Sequence, residues 1–146
     1  MTRTRSLLLA AALVPLAVLT AACGTDRAAG PGGPTTSAPS QLVAPAAFAA
    51  TVDRPGVVTV NVHVPHGEDI PGTDLVIPFD RITASPELPT DRSTPLAIYC
   101  RSGNMSATAA RDLRAMGYTH IVELDGGYDA WLASGRSMQP SSVTPR

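Results

Sequence analysis

Leu96-Ala97-Ile98-Tyr99-Cys100-Arg101-Ser102-Gly103-Asn104-Met105-Ser106 is the stretch on which the fold turns. Its first four residues are apolar and β-leaning and follow a Pro-containing loop, Pro89 to Pro95, so they read as a buried strand ending at Cys100. The residues after Cys100 are polar and hold a glycine. Beyond them Ala109, Ala110, Leu113 and Met116 recur at helical spacing, and Gly117 supplies the stop. Strand, tight loop and helix N-terminus in that order put the Cys100 sulfur at the centre of a ring of backbone N–H groups, with the positive end of a helix dipole beneath it. Such a cradle favours an anionic sulfur, and so suits a thiolate nucleophile or a bound persulfide. Arg101 adds a nearby positive charge. The competing reading is a buried structural cysteine behaving as a small hydrophobe.

Outward from this stretch, the chain of 146 residues has room for one domain of ordinary size. Its 11 basic residues are all Arg, which excludes Schiff-base chemistry and a Walker-type phosphate loop. A net charge of -1 with 4% aromatic residues argues against nucleic acid as a partner.

The N-terminus reads as a targeting segment. Arg3 and Arg5 precede the uncharged run Ser6 to Ala22, whose 17 residues are interrupted by Pro15 and fall short of a membrane span. Leu19-Thr20-Ala21-Ala22-Cys23 resembles the bacterial lipoprotein cleavage box, with Thr20 a mild departure; the alternative is an ordinary signal peptide and a chance cysteine. The expected organisation is therefore a signal peptide over 1–22, lipidated Cys23 and a disordered tether over 23–40, a folded domain over 41–137 and a flexible tail over 138–146. Gly24 to Ser40 has no large apolar side chain and cannot offset the entropy of ordering it. It would span about 20 to 25 Å, enough to hold a small domain just off a membrane.

Two cysteines in a secreted chain ordinarily suggest one disulfide. With Cys23 taken by the lipid, Cys100 is left as a single thiol in an oxidising compartment, where a reactive role is the expectation.

The loop Cys100 to Ser106 resembles the active-site loop of the rhodanese family of sulfurtransferases. Three flanking segments agree with it. Leu124-Asp125-Gly126-Gly127-Tyr128-Asp129-Ala130-Trp131 is similar to the family's Gly-Gly-x-x-x-Trp segment, and Ile70-Pro71-Gly72-Thr73 followed by Asp74 to Pro78 to its Ile-Pro-Gly-Ala turn and strand. Ala44 to Ala50 and Pro55 to Val62 are similar to its opening helix and first core strand. The resemblance implies a single α/β domain with a small, mainly parallel sheet and helices on both faces. In order, a helix is expected near Pro45 to Val52, strands near Val57 to Val62, Leu75 to Ile77 and Leu96 to Tyr99, a helix from Ser106 to Met116, a strand from Ile121 to Leu124 and a helix from Tyr128 to Ser134.

It also implies sulfur transfer, which the leader would place on the outer face of the cytoplasmic membrane. Cys100 would attack a sulfane-sulfur donor, carry the sulfur as a persulfide, and yield it to a thiol or cyanide acceptor. Arg101, Ser102, Gly103, Asn104, Met105 and Ser106 would form the cradle, with Asn61 and His63 at the pocket rim. The expected partners are a small sulfur-containing donor, a thiol acceptor and the membrane, for a monomeric domain without cofactor or metal. The chain departs from the family pattern at three places. Asn61-Val62-His63 stands where Asp-Val-Arg is common, the segment Pro65 to Ile70 is shorter than usual, and Met105 replaces a basic loop residue that would help hold thiosulfate. A second reading follows from these departures: a catalytically weak module that binds, or senses redox state or persulfide. Ser106 stands where the phosphatase relatives of the fold need an Arg, which argues against phosphatase activity.

His63, His66, Glu68 and Asp69 match no compact metal motif and read as loop residues near the pocket. His120 reads as a partly exposed strand-start residue, and Trp131 with Tyr128 as packing rather than ligand stacking. Gly126-Gly127 lacks the third glycine and acidic partner of a nucleotide loop.

Overall fold

The structure is a computed structural model, and its described residues are 40–143; the expected leader, Cys23, most of the tether and the last three residues of the tail lie outside them. The elements are β1 (Gln41–Val43), α1 (Pro45–Val52), β2 (Val58–Asn61), β3 (Leu75–Val76), a 3-10 helix (Phe79–Ala84), β4 (Leu96–Tyr99), α2 (Asn104–Ala115), β5 (Ile121–Leu124) and α3 (Gly127–Ala133). The strands form one sheet in the order β1-β5-β4-β2-β3, and all four strand pairs are parallel. This is the expected α/β architecture. No helix among the described residues is long and apolar enough to cross a membrane.

β4 occupies the centre, and its four residues are all buried. Period-2 alternation sends Leu96 and Ile98 to one face, where they meet Ala109, Ala110 and Leu113 of α2 and Ile82 of the 3-10 helix. Ala97 and Tyr99 point to the opposite face, against Phe48 of α1 and Trp131 of α3. Phe48 packs edge-on against both Tyr99 and Trp131, at centroid distances of 6.1 and 6.5 Å. Each fully buried aliphatic side chain contributes about 1.5 to 3 kcal/mol, so both layers stabilise the same central strand.

Two elements are additional to those expected. β1 is only three residues long and pairs with β5, too short for alternation to reveal it. The 3-10 helix places Ile82 under α2 and lacks the longer period that marks an α-helix. α2 starts at Asn104, two residues before the expected Ser106, because Gly103 takes a left-handed conformation (φ 99°) and turns the chain directly into the helix. Pairing also continues past residue 137: Met138 packs on the core, and Gln139 exchanges two backbone hydrogen bonds with Asp69, at 2.8 and 2.9 Å.

A buried polar cluster closes the sheet end beside β2. Asp69 Oδ1 accepts from Asn61 Nδ2 at 2.8 Å and from the Tyr99 hydroxyl at 3.3 Å, and lies 3.1 Å from His66 Nε2. The Tyr99 oxygen accepts the Ile70 N–H at 3.0 Å and lies 2.8 Å from Thr73 Oγ1. Burial opposes ionisation of Asp69, yet the hydrogen bonds, led by the Asn61 amide, win and hold its pKa below the usual carboxylate value.

Tyr99→Phe keeps the ring but leaves the Ile70 N–H and the Thr73 hydroxyl short of a partner. We expect a loss of roughly 1 to 3 kcal/mol in urea unfolding. The depressed Asp69 pKa means that its stabilising contribution is complete above the unfolded value of 3.8 and is lost as pH falls through the lower folded value. Unfolding free energy measured against pH falls less steeply on the acid side for Asp69→Asn than for the parent.

Candidate active site

Cys100 is the first residue after β4, at the carboxyl end of the sheet, where open α/β sheets place their sites. Its Sγ receives the N–H of Gly103 at 3.1 Å and of Ser106 at 3.4 Å. The thiol points to Ser106 Oγ at 3.7 Å, and that hydroxyl donates to the Gly103 carbonyl at 2.9 Å. Cys100 is 1% exposed, as a structural cysteine would be. Two backbone donors nevertheless converge on the sulfur; a neutral thiol is a poor acceptor, whereas an anionic sulfur gains strongly from such bonds.

The cradle is thus built by the amides of Gly103 and Ser106. Ser106 is fully buried under the loop, while Ser102 and Asn104 are exposed and no described bond ties their side chains to the sulfur. Met105, the second residue of α2, is half-buried and packs on the core, and its thioether adds no charge to the loop. The Arg101 side chain, 63% exposed, is paired with Asp129, with Nε and Oδ2 3.3 Å apart.

The loop is clamped from the other side by α3. Tyr128 N–H donates to the Cys100 carbonyl at 2.9 Å and Asp129 N–H to the Arg101 carbonyl at 3.0 Å. Gly127 makes this approach possible. It sits at φ 60°, and a Cβ there would lie 2.4 Å from the Cys100 carbonyl oxygen and 2.3 Å from that of Arg101. This is the physical role of the Gly-Gly segment. Trp131 is buried beside Phe48 and donates from Nε1 to the Ser137 carbonyl at 3.0 Å, a packing role as expected.

The two rim residues divide. Asn61 does not stand at the rim: it is 1% exposed, and its amide is committed to Asp69 beneath the surface. The reason is register. Asn61 pairs with Tyr99, so its side chain follows Tyr99 into the sheet face below the site. His63 lies two residues farther along, beside Arg101, and its half-exposed ring packs edge-on against Tyr128 with centroids 5.4 Å apart. Burial first, then the Arg101 charge and His66, lower the His63 pKa from 6.5 against the opposing pull of Asp129. Tyr128 moves up, chiefly through burial, with Asp129 and Cys100 adding to the rise and Arg101 opposing it. Tyr128 therefore stands within electrostatic reach of the sulfur. Nothing in the sequence alone linked it to His63, because the contact joins residues 65 positions apart in the chain.

His66 and Asp69, weighed as metal ligands, bond to each other, and Asp69 Oδ1 is filled by donors. His120 is exposed, immediately precedes β5, and has its Nδ1 2.9 Å from Thr119 Oγ1.

Gly127→Ala forces the α3 clamp away from two carbonyl oxygens and holds a side chain at positive φ. We expect a stability loss of about 2 kcal/mol or more, together with faster alkylation of Cys100, followed by peptide mass spectrometry. An unchanged labelling rate would show that the clamp does not cover the sulfur.

An uncharacterized protein of Synechocystis, slr1261, is 33% identical over 97 residues, 64% of this chain and 52% of that protein. The thiosulfate sulfurtransferase GlpE of Ectopseudomonas mendocina is 39% identical over 44 residues, 30% of this chain and 40% of that protein. The matches therefore span about half or less of these curated relatives' length. Among solved structures, the rhodanese homolog TT1651 of Thermus thermophilus superposes with a TM-score of 0.50 at 30% identity, covering 62% of this chain and 99% of that one. The rhodanese-like domain profile matches residues 55–134, which include β2 through α3 and the whole Cys100 loop, and the chain belongs to that family.

Proposed function

We propose that the protein is a sulfurtransferase that carries sulfane sulfur as a persulfide on Cys100 and yields it to a thiol or cyanide acceptor. The observation that carries this reading is the pair of amides, Gly103 and Ser106, aimed at a desolvated sulfur. They stabilise the charge that develops as the donor's S–S bond breaks and as Sγ becomes the leaving group in the second half-reaction. The match to the GlpE thiosulfate sulfurtransferase over part of the domain supports the same chemistry.

The rim disfavours thiosulfate as the preferred donor. Met105 is neutral, Arg101 is already paired with Asp129, and His63 is held toward its neutral form. A persulfide donor carries at most one negative charge and needs no dianion clamp, and a polysulfide spreads its charge over the two ends of a sulfur chain rather than on one sulfonate head. The leader reading extends the proposal to a lipid-anchored, extracytoplasmic protein, with the domain tethered through Cys23.

A second reading, a persulfide-binding or sensing module with little turnover, draws on the covered sulfur, only 1% exposed. The two are separated by intact mass after polysulfide treatment: a transferase gains sulfur and loses it to an acceptor, whereas a sensor keeps it.

The test uses the full chain in detergent with polysulfide or thiosulfate as donor and cyanide as acceptor. We expect Cys100→Ser to reduce thiocyanate formation to background and the parent to turn over polysulfide faster than thiosulfate. Equal rates for parent and Cys100→Ser would overturn the reading.

A further inference from the structure

Transfer to a thiol needs more than a charged cradle, because the acceptor arrives carrying a proton that must leave before its sulfur attacks. Three histidines are available. His66 Nε2 is bonded to Asp69, and His120 Nδ1 to Thr119. Neither ring nitrogen of His63 has a hydrogen-bond partner among the described residues, and the ring is half-exposed. Other candidate acceptors near the loop are committed: Asp129 is paired with Arg101, and Asp69 is buried beneath Asn61.

The placement of His63 follows from the fold. Asn61 and Tyr99 are in register, and Val62 N–H donates to the Tyr99 carbonyl at 2.9 Å, so His63 emerges beside Arg101 at the same sheet end as Cys100. Its backbone N–H is held by Asn61 Oδ1 at 3.0 Å. Its ring rests on Tyr128, whose own N–H is bonded to the Cys100 carbonyl. One short chain of contacts thus ties the imidazole to the nucleophile.

We propose that His63 is the proton acceptor for the incoming thiol in the second half-reaction, with Tyr128 as the residue that positions its ring. The proposal rests on the sulfurtransferase reading. The acceptor's S–H bond breaks and its proton passes to an imidazole nitrogen. The thiolate pair forms a bond to the outer sulfur of the Cys100 persulfide. The S–S bond breaks with its electrons left on Sγ, where the Gly103 and Ser106 amides receive the charge. The products are a persulfide of the acceptor, the Cys100 thiolate and an imidazolium that returns its proton to water. No external oxidant or reductant is required.

The groups facing His63 are Arg101 from the loop, Tyr128 and Asp129 from α3, and His66 from its own segment. Burial and the Arg101 charge keep the ring neutral above a pKa lower than 6.5, as a proton acceptor near neutral pH must be.

The test loads the full chain with polysulfide, removes excess donor, and follows loss of the Cys100 persulfide by mass spectrometry with either cysteine or sulfite as acceptor. Sulfite above neutral pH has no proton to surrender. For His63→Ala, the ratio of the cysteine rate to the sulfite rate falls on the order of 100-fold, and added imidazole restores it. The cysteine rate also loses the pH inflection that the parent shows below 6.5. An unchanged ratio, or slowing of both acceptors alike, overturns the role of His63 while leaving the persulfide reading intact. Failure of the parent to load sulfur at all overturns both. If His63→Ala does not load, His63→Gln, which keeps a planar polar side chain against Tyr128, is measured in its place under the same criteria.

Discussion

The site depends on two carbonyl groups at the end of one buried strand. The oxygens of Cys100 and Arg101 lie past the last ladder pair of β4, where a parallel sheet offers them no partner, and a buried carbonyl without one is costly. α3 has the complementary problem, since the N–H groups of its first turn have no partner within the helix. The Tyr128 and Asp129 amides meet those carbonyls, so each end satisfies the other. The contact is so close that only glycine fits at 127. With its carbonyls pinned outward to α3, the loop must curl the other way, and the left-handed turn at Gly103 brings the Gly103 and Ser106 amides onto the sulfur. The amide cradle around the Cys100 sulfur is therefore a consequence of backbone accounting at a strand end, and the loop side chains do not build it. That is why Met105 can replace a basic residue without dismantling the cradle.

The central strand, the loop and the two core faces were legible in the chain because their signals are local. Leu96 to Tyr99 is a short apolar run, Cys100 to Ser106 is a compact loop, and Ala109, Ala110 and Leu113 share one helical face. What escaped is set by pairings between distant residues. β1 has three residues and exists through its ladder with β5, 81 positions away in register. Asn61 looked like a rim residue from its place at a strand end. Its burial depends on Asp69 and Tyr99, whose convergence no spacing rule predicts. Tyr128 packs on the core as its spacing with Trp131 suggests, but its ring also meets the rim histidine, a contact no spacing reveals.

Alternation along β4 also separates the two tasks of the domain. Tyr99 and Cys100 are neighbours whose side chains leave the sheet on opposite faces. The tyrosine hydroxyl enters the buried polar cluster that holds Ile70, Thr73 and Asp69, and Asn61 joins the same cluster from the adjacent strand. That cluster fixes the path of the segment leaving β2, and with it the backbone of His63. The cysteine, on the other face, takes its environment from α2 and the loop. Structural and chemical groups are thus interleaved residue by residue and meet again only at the rim, where His63 from one side and Tyr128 from the other stand over the sheet end. A charge or hydrogen-bond change in the buried cluster is felt at the rim through the position of His63, and a change in the loop is felt at the sulfur. The departures at Asn61 and His63 belong together: Asn61 engages Asp69 below and offers its oxygen to the His63 amide above, so one side chain couples the stability of the sheet end to the placement of a rim imidazole whose two ring nitrogens make no hydrogen bond among the described residues.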